Sequence, residues 1–359
     1  MHKLLQSDGF KSIASSLIAI LAGLIIGYII LYVTNPYDAY YGFMTVIRGG
    51  FNSIPRGIGS VLYTATPIIL TGLSVGFAFK TGLFNIGASG QFIVGGFVAI
   101  YIGVHWTFLP TSILWIVALI GSFIAGSLWA AIIGLLKAFR NVNEVITSIM
   151  LNYIGVFMVN FFVVRTTYDS LRNQSITPSL ATVPKWGFDT LLPNSGANGG
   201  ILIAIVVAII VYIIIDRTTF GFELKAVGFN RDAAKYAGIN EKRNIVLSMM
   251  IAGALAGLAG GLVYLSGTGV HIEVLDRIPM EGFNGIPVAL LANSHPLAIV
   301  FSGLFIAHLN IGGFYMQRFD FVPEVIDMMV AIIIYFSAFA LAFKGVFEKI
   351  ARKMKGDKA

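Results

Sequence analysis

The chain of 359 residues contains no cysteine and few charged residues. Without cysteine it can form no disulfide, no cysteine-ligated zinc or iron–sulfur site and no thiol nucleophile. Charged residues make up 11% of the chain, whereas soluble domains carry about 25%. This scarcity argues against a water-soluble fold. The net charge of +7 is then better explained by membrane topology than by nucleic-acid binding.

Motifs that carry catalysis are also missing. None of the five histidines pairs with another at metal-ligand helical spacing, and no HExxH or G-x-S-x-G motif occurs. The chain also lacks G-x-x-x-x-G-K-S/T, so it cannot hydrolyse ATP at a P-loop of its own. The sequence therefore predicts a non-catalytic protein, with no metal site and no cofactor in this chain.

Long apolar runs fill most of the sequence. Hydrophobic residues make up 57% of it, and the 40 glycines follow no three-residue period. A run of about 17–25 apolar residues can cross a bilayer as a helix. We therefore predict an all-α integral membrane protein with about ten transmembrane helices, some of them short or broken. The predicted spans are Ile13–Val33, Ile58–Phe79, Leu83–Val104, Ser112–Leu136, Val145–Val164, Gly200–Ile215, Ile245–Ser266, Ile278–Ala292, Leu297–Gly313 and Pro323–Phe343.

The basic residues favour one orientation in the membrane. With a cytoplasmic N-terminus, 17 of the 24 Lys and Arg residues fall on the cytoplasmic side, as the positive-inside rule requires. Both termini are therefore expected in the cytoplasm, and the first span is expected to be retained and not cleaved as a signal peptide. Residues 1–359 are expected to form one polytopic membrane domain, with an extracellular loop at 166–199 and a basic cytoplasmic tail at 345–359.

A polar segment at 216–244 interrupts the apolar runs and carries six Lys and Arg residues. Its charge predicts a cytoplasmic location. Asn230 is placed to cap a short helix, Asp232 falls in its first turn, and Gly238 ends it. A topology signal alone would not need such a capped helix, so we interpret 216–244 as a coupling loop that docks a partner. The predicted docking residues are Gly228, Asn230, Asp232, Ala233, Ala234, Tyr236 and Gly238.

Polar residues within the predicted spans are candidates for a substrate path, because burying them costs energy unless they are paired or face water. Asn85 and Gln91 lie in one glycine-interrupted segment and Asn284 lies in another. Paired interruptions of this kind are typical of broken helices beside a transport path. Glu144 and Asn152 complete the set. The alternative for each residue is a hydrogen bond between helices, and Glu144 can also stabilise a helix start.

Four stretches carry a family resemblance: Thr71–Gly96, Asn143–Tyr153, Gly221–Gly261 and Gly282–Pro296. Through them the chain resembles the permease subunits of bacterial ABC importers in the branched-chain amino acid/simple-sugar superfamily. The resemblance is strongest to the branch that works with basic membrane lipoproteins and imports nucleosides. The first span and the 166–199 loop match less tightly.

This resemblance implies a fold similar to the vitamin B12-type importer permeases, set in the lipid bilayer of a bacterial plasma membrane. It also implies three kinds of protein partner. These are a second permease subunit, expected to be a different chain, cytoplasmic ATPase subunits that bind ATP and magnesium, and a lipid-anchored extracytoplasmic substrate-binding protein. The loop matching Gly221–Gly238 would then be the coupling helix, seated in the ATPase.

Three alternatives remain open at this point. The same architecture would suit a simple sugar or a branched-chain amino acid, because a neutral sugar needs much the same polar groups as a nucleoside. An ion-coupled secondary transporter would use Glu144, Glu324 and Asp327 as coupling carboxylates. An intramembrane enzyme is disfavoured by the missing catalytic motifs.

Overall fold

The computed structural model describes residues 8–338, and these are predominantly helical. The α-helices are α1 (Asp8–Thr34), α2 (Ala39–Arg48), α3 (Arg56–Lys80), α4 (Ala88–His105), α5 (Thr111–Arg140), α6 (Glu144–Thr166), α7 (Phe188–Leu191), α8 (Gly200–Arg217), α9 (Thr219–Phe229), α10 (Arg231–Tyr236), α11 (Glu241–Tyr264), α12 (Gly285–Leu291), α13 (Pro296–Met316) and α14 (Pro323–Ala338). One antiparallel hairpin, β1 (Tyr168–Asp169) and β2 (Gln174–Ser175), follows α6. Short 3-10 turns occur at Gly49–Asn52, Met280–Gly282 and Gln317–Phe319.

Seven helices of the described chain are long and apolar enough to cross a membrane: α3, α4, α5, α6, α8, α11 and α13 together with the turn that follows it. The prediction of an all-α, multi-pass membrane protein is therefore confirmed. Helix α1 contributes a shorter apolar stretch, Leu21–Thr34. The end of the predicted span Pro323–Phe343, the tail 345–359 and both chain ends lie outside the described residues.

The predicted span Ile278–Ala292 is not a continuous helix. Its α-helical part, α12, has seven residues and extends about 10 Å, a third of a hydrocarbon core of about 30 Å. Before α12 the chain packs closely against α4, because a Cβ at Gly282 would collide with the backbone of Ser89. Asn293 and Ser294, both with left-handed φ values of 49° and 54°, follow the helix.

The other glycine-interrupted segment contains a turn. Helix α4 begins at Ala88, after the start of the predicted span Leu83–Val104. Before it, α3 ends in a Schellman turn, in which Gly82 has φ +69° and the backbone N–H of Leu83 donates to the Ala78 carbonyl at 3.0 Å. This arrangement satisfies backbone groups that a helix end leaves without intrahelical partners.

The described residues fall into two compact units. The smaller one combines residues up to 57 with residues from 305 onward. Its core contains Leu31, Ala39, Val46, Leu309, Met316, Phe321 and Met329. The larger unit comprises residues 58–304 and contains every predicted docking and path residue. Within it, α11 packs against α5 and α4.

Glycines set how closely α11 approaches its neighbours. A Cβ added at Gly257 of α11 would lie 2.9 Å from the Cα of Gly126 in α5, and one added at Gly95 of α4 would lie 2.5 Å from the Cα of Gly257. Small residues allow membrane helices to meet backbone to backbone, where packing and not a hydrophobic driving force holds them together. The contact therefore requires glycine, which has no side chain, at these positions.

Replacing Gly257 by alanine should force these helices apart. We expect Gly257→Ala to destabilise the protein by roughly 1–3 kcal/mol, as overpacking of a filled interior does. The matched control is Gly155→Ala, because a Cβ at Gly155 of α6 would come no closer than 3.5 Å to its neighbours. The melting temperatures of the two purified variants measure the difference, and equal values would contradict the packing argument.

Candidate functional site

The short helix α10 lies within the basic segment, and local contacts define its ends. At the start, the backbone N–H of Ala233 donates to Asn230 Oδ1 at 2.9 Å. At the end, Gly238 has φ +81°, and the backbone N–H of Ile239 donates to the Ala234 carbonyl at 3.0 Å. The predicted cap at Asn230 and the predicted stop at Gly238 are therefore both confirmed.

Two exposed aromatic rings flank α10. Phe229, the last residue of α9, is 90% exposed, and Tyr236, in the last turn of α10, is 94% exposed. Asp232 and Ala233 are exposed between them. Phe229 was missing from the predicted docking set, although an apolar ring in a charged loop is a signal for it. An exposed aromatic pair of this kind is typical of a protein interface.

Two predicted docking residues lie elsewhere. Ala234 is buried in a hydrophobic cluster with Ala78, Leu83 and Ile245, because it falls on the inner face of α10. Gly228 belongs to α9, where a Cβ would come within 3.0 Å of the backbone between α3 and α4. Neither residue is on the exposed docking side, so the structure corrects both assignments.

Polar contacts hold the basic segment against the neighbouring helices. They join Lys225 Nζ to Asp216 Oδ1 at 3.1 Å, Arg231 Nε to Glu241 Oε2 at 2.7 Å, and Asn244 Nδ2 to Glu223 Oε2 at 3.1 Å. Charge-assisted hydrogen bonds are stronger than neutral ones. These contacts join α9 and α10 to α8 and α11.

Asn85 and Gln91 face each other as a reciprocal amide pair. Asn85 Nδ2 donates to Gln91 Oε1 at 2.8 Å, and Gln91 Nε2 donates to Asn85 Oδ1 at 2.9 Å. Asn85 Nδ2 also donates to Ser74 Oγ at 3.0 Å. Both amides are fully buried. The two amides therefore form hydrogen bonds between neighbouring segments, as the alternative for these residues states. Neither amide faces an open path.

Asn152 is buried in the same region and joins α6 to α4. The backbone N–H of Gly90 donates to Asn152 Oδ1 at 2.8 Å, and Asn152 Nδ2 donates to the Ile86 carbonyl at 3.0 Å. These contacts use the amide nitrogen and the amide oxygen of a side chain that is 1% exposed. Asn152 therefore positions the two helices against each other.

Glu144 lies at the start of α6 and is paired with the end of α5. Lys137 Nζ lies 2.8 Å from Glu144 Oε2, with both side chains less than a quarter exposed. Asn143 caps the same helix, accepting from the backbone N–H of Val145 at 2.8 Å. The carboxylate therefore stabilises the α5–α6 turn, as the helix-start alternative proposes. Glu324 and Asp327, the other carboxylates of the ion-coupled alternative, are exposed near the start of α14.

Asn284 differs from the other four path candidates. It is half-buried and directly precedes α12. Its side chain makes no hydrogen bond to any residue between 8 and 338. An amide without a partner inside a membrane protein is costly unless it faces water, another subunit or a ligand. Of the predicted path residues, only Asn284 keeps a side chain without a hydrogen-bond partner or ion pair between residues 8 and 338.

Tyr153, beside Asn152, is a candidate that the sequence analysis missed. It lies near the middle of α6 and is 46% exposed. No residue between 8 and 338 hydrogen-bonds its hydroxyl. Tyrosine in membrane proteins prefers the interfaces, and an unpaired hydroxyl facing hydrocarbon is unfavourable. Phe157, one turn further, is 51% exposed on the same face. The unpaired hydroxyl makes this face a candidate for contact with a ligand or a second subunit.

Within residues 8–338, no three His, Cys, Asp or Glu side chains are grouped as the ligands of a metal ion would be. The unpaired polar groups of Asn284 and Tyr153 are an amide and a hydroxyl, and such groups recognise neutral ligands through hydrogen bonds.

A family profile described as the permease component of branched-chain amino acid transport systems matches residues 57–338. The chain belongs to this permease family. No solved structure matches the chain.

Several relatives are named as permeases of ABC transporters. The guanosine ABC transporter permease protein NupP of Bacillus subtilis (strain 168) is 39% identical over 338 residues, 94% of this chain and 96% of that protein. The nucleoside ABC transporter permease protein NupB of Lactococcus lactis subsp. cremoris (strain MG1363) is 36% identical, covering 97% of this chain and 96% of that protein. The glucose ABC transporter permease protein TsgB13 of Haloferax volcanii is 29% identical, covering 95% and 91%. A second guanosine permease of Bacillus subtilis, NupQ, is 25% identical over 76% of this chain and 87% of its own length.

Proposed function

We propose that this chain is a non-catalytic permease subunit of an ATP-driven importer of nucleosides in a bacterial plasma membrane. The observation that carries the proposal is the similarity to NupP and NupB over nearly the whole length of all three chains. The proposal includes both termini in the cytoplasm and an architecture of about ten helices like that of the vitamin B12-type permeases. The interrupted segments before α4 and around α12 support such an arrangement.

The free energy that drives transport comes from ATP hydrolysis by partner subunits. The chain has no P-loop, so cytoplasmic ATPase subunits bind ATP and magnesium. They dock on the coupling loop 216–244, at the exposed face formed by Phe229, Asn230, Asp232, Ala233, Tyr236 and Gly238. The two exposed rings supply large contact areas at low conformational cost, and the polar contacts to α8 and α11 make the face rigid.

The substrate passes between this chain and a second permease. The pair NupP and NupQ in one organism supports a partner that is a different chain. On this subunit the path is lined by the Tyr153 face of α6 and by Asn284. An aromatic ring can stack on a nucleobase, and an amide can hydrogen-bond its edge or the ribose hydroxyls.

A lipid-anchored substrate-binding protein delivers the nucleoside to the extracellular loop 166–199. This loop has an ordered surface, because β2 is held to the segment after α11. The backbone N–H of Ser175 donates to the Ile272 carbonyl at 2.9 Å, and Ser175 Oγ accepts from the backbone N–H of Ile272 at 2.9 Å. A fixed loop offers a preformed docking surface.

Uptake by cells that contain the complete transporter tests the substrate. We expect radiolabelled guanosine to be taken up and unlabelled nucleosides to compete, while glucose and leucine do not. Competition by glucose instead would favour the function named for TsgB13. Uptake that survives ATP depletion but stops with an uncoupler would identify an ion-coupled transporter and overturn the proposal.

Tyr236→Ala tests the docking face. Because Tyr236 is 94% exposed, the variant should insert normally but recover about tenfold less ATPase during purification, as expected when an interface loses a central aromatic residue. Tyr37→Ala is the matched control, since Tyr37 is 92% exposed between α1 and α2. Equal recovery of ATPase by the two variants would contradict docking at α10.

The path is testable by thiol labelling because the chain has no cysteine. We expect Tyr153→Cys to react with a hydrophilic maleimide and guanosine to protect it, since thiols react as thiolates in water. Ile210→Cys on α8 should not react, although Ile210 is 49% exposed and Tyr153 is 46% exposed. If the two cysteines label alike, or guanosine gives no protection, α6 does not line the path.

A further inference from the structure

The non-helical turn between α3 and α4, residues 81–87, contacts two parts of the larger unit that the proposed function separates. One is α9, which leads into the docking helix α10. The other is α6, which carries Tyr153. The contacts of the turn with α9 and with α6 are made by backbone atoms or by a buried amide. The turn therefore has little freedom to move relative to either helix.

On the side of α9, two glycines bring the backbones together. A Cβ at Gly82 would lie 2.9 Å from the Cα of Gly228, and one at Gly228 would lie 2.8 Å from the backbone nitrogen of Gly82. Two residues after Gly228, the cap Asn230 begins α10. A displacement of the docking helix therefore presses on the turn directly, with no flexible side chain between the two backbones.

On the side of α6, Asn152 holds the turn and the first residues of α4 together. It donates to the carbonyl of Ile86 at 3.0 Å and accepts from the backbone N–H of Gly90 at 2.8 Å. A Cβ at Gly90 would lie 2.9 Å from the Cα of Asn152. The next residue along α6 is Tyr153, which is 46% exposed, whereas Asn152 is buried. Movement of the turn therefore moves the helix that carries the exposed tyrosine.

The turn itself is stiff. Asn85 is joined to Ser74 of α3 and to Gln91 of α4 by hydrogen bonds of 2.8–3.0 Å. At the start of the turn, the hydroxyls of Thr81 and Ser248 lie 2.5 Å apart, both buried. A buried network whose members are satisfied resists local deformation. The turn is therefore built to shift as a unit.

We propose that the 81–87 turn is the mechanical link between the docking helix and the substrate path. Gly228, Gly82 and Asn152 are its positioning residues. Coupling between distant sites is carried by chains of packed and hydrogen-bonded groups on rigid elements, and this turn is such a chain between α9 and α6. The inference rests on the proposed function, because it takes α10 to be the ATPase docking helix.

Two variants break the link at its two ends. Gly228→Ala introduces a Cβ that has no room against the turn, and Asn152→Ala removes both hydrogen bonds to Ile86 and Gly90. In the purified full transporter, each should keep ATP hydrolysis but take up less substrate per ATP hydrolysed. We expect the ratio of uptake to hydrolysis to fall about tenfold, a size common for coupling between sites.

Each variant has a matched control that should leave the link intact. Gly155→Ala also adds one methyl group to a glycine, but its Cβ would lie 3.5 Å from Gly90, an ordinary van der Waals distance that requires no shift of the neighbouring backbone. Asn160→Ala removes an amide of the same helix that bonds the Leu275 carbonyl at 3.0 Å. Both controls should keep the wild-type ratio, even if their amounts in the membrane differ.

The ratio of uptake to ATP hydrolysis distinguishes residues that couple the two sites from residues that only support the fold. If uptake and hydrolysis fall together in the link variants, these residues only support the fold and the inference is overturned. Failure of both variants to accumulate in the membrane would overturn it as well, since it would assign them to folding. The wild-type transporter is measured first with guanosine, because absence of uptake there counts against the proposed function and not against the link.

Discussion

Hydrocarbon offers no hydrogen-bond partner, so a polar group in a membrane-spanning segment has to be satisfied by the protein, by enclosed water or by a ligand. In the larger unit this constraint acts together with close glycine packing. Where the chain leaves the helical conformation, at 81–87, side-chain amides satisfy part of the exposed backbone, as Asn152 does for Ile86 and Gly90. Where three helices meet, Gly95, Gly126 and Gly257 let the backbones touch. The interruptions are stable because such contacts surround them.

The same constraint separates polar residues that hold the structure from those that are available for transport. Asn85, Gln91 and Asn152 are buried with partners, and Glu144 is paired with Lys137. Asn284 and Tyr153 keep unpaired polar groups and are accessible. Helix α6 shows both cases on adjacent residues. Its inner face packs through Asn152, and its outer face presents Tyr153, so one helix can belong to the scaffold and to the path.

The docking segment shows why sequence reasoning succeeds at some positions and fails at others. Asn230 and Gly238 were predicted correctly because helix caps depend on residues within a few positions. Gly228 and Ala234 were placed on the docking surface incorrectly. Their surroundings are set by Gly82 and Ala78, about 150 residues earlier in the chain, and no local pattern reports such a contact.

The sequence by itself determined that this is a helical membrane protein without a P-loop, where seven of the apolar spans of residues 8–338 fall, and which residues begin and end α10. These properties follow from composition, from apolar length and from interactions between near neighbours in the chain. Only the tertiary structure decided that Ile278–Ala292 is not one continuous helix and that three of the path amides are occupied by one another or by backbone groups. It also identified Tyr153 as accessible. The reason is physical: whether a polar group is paired or free depends on which distant backbone lies beside it.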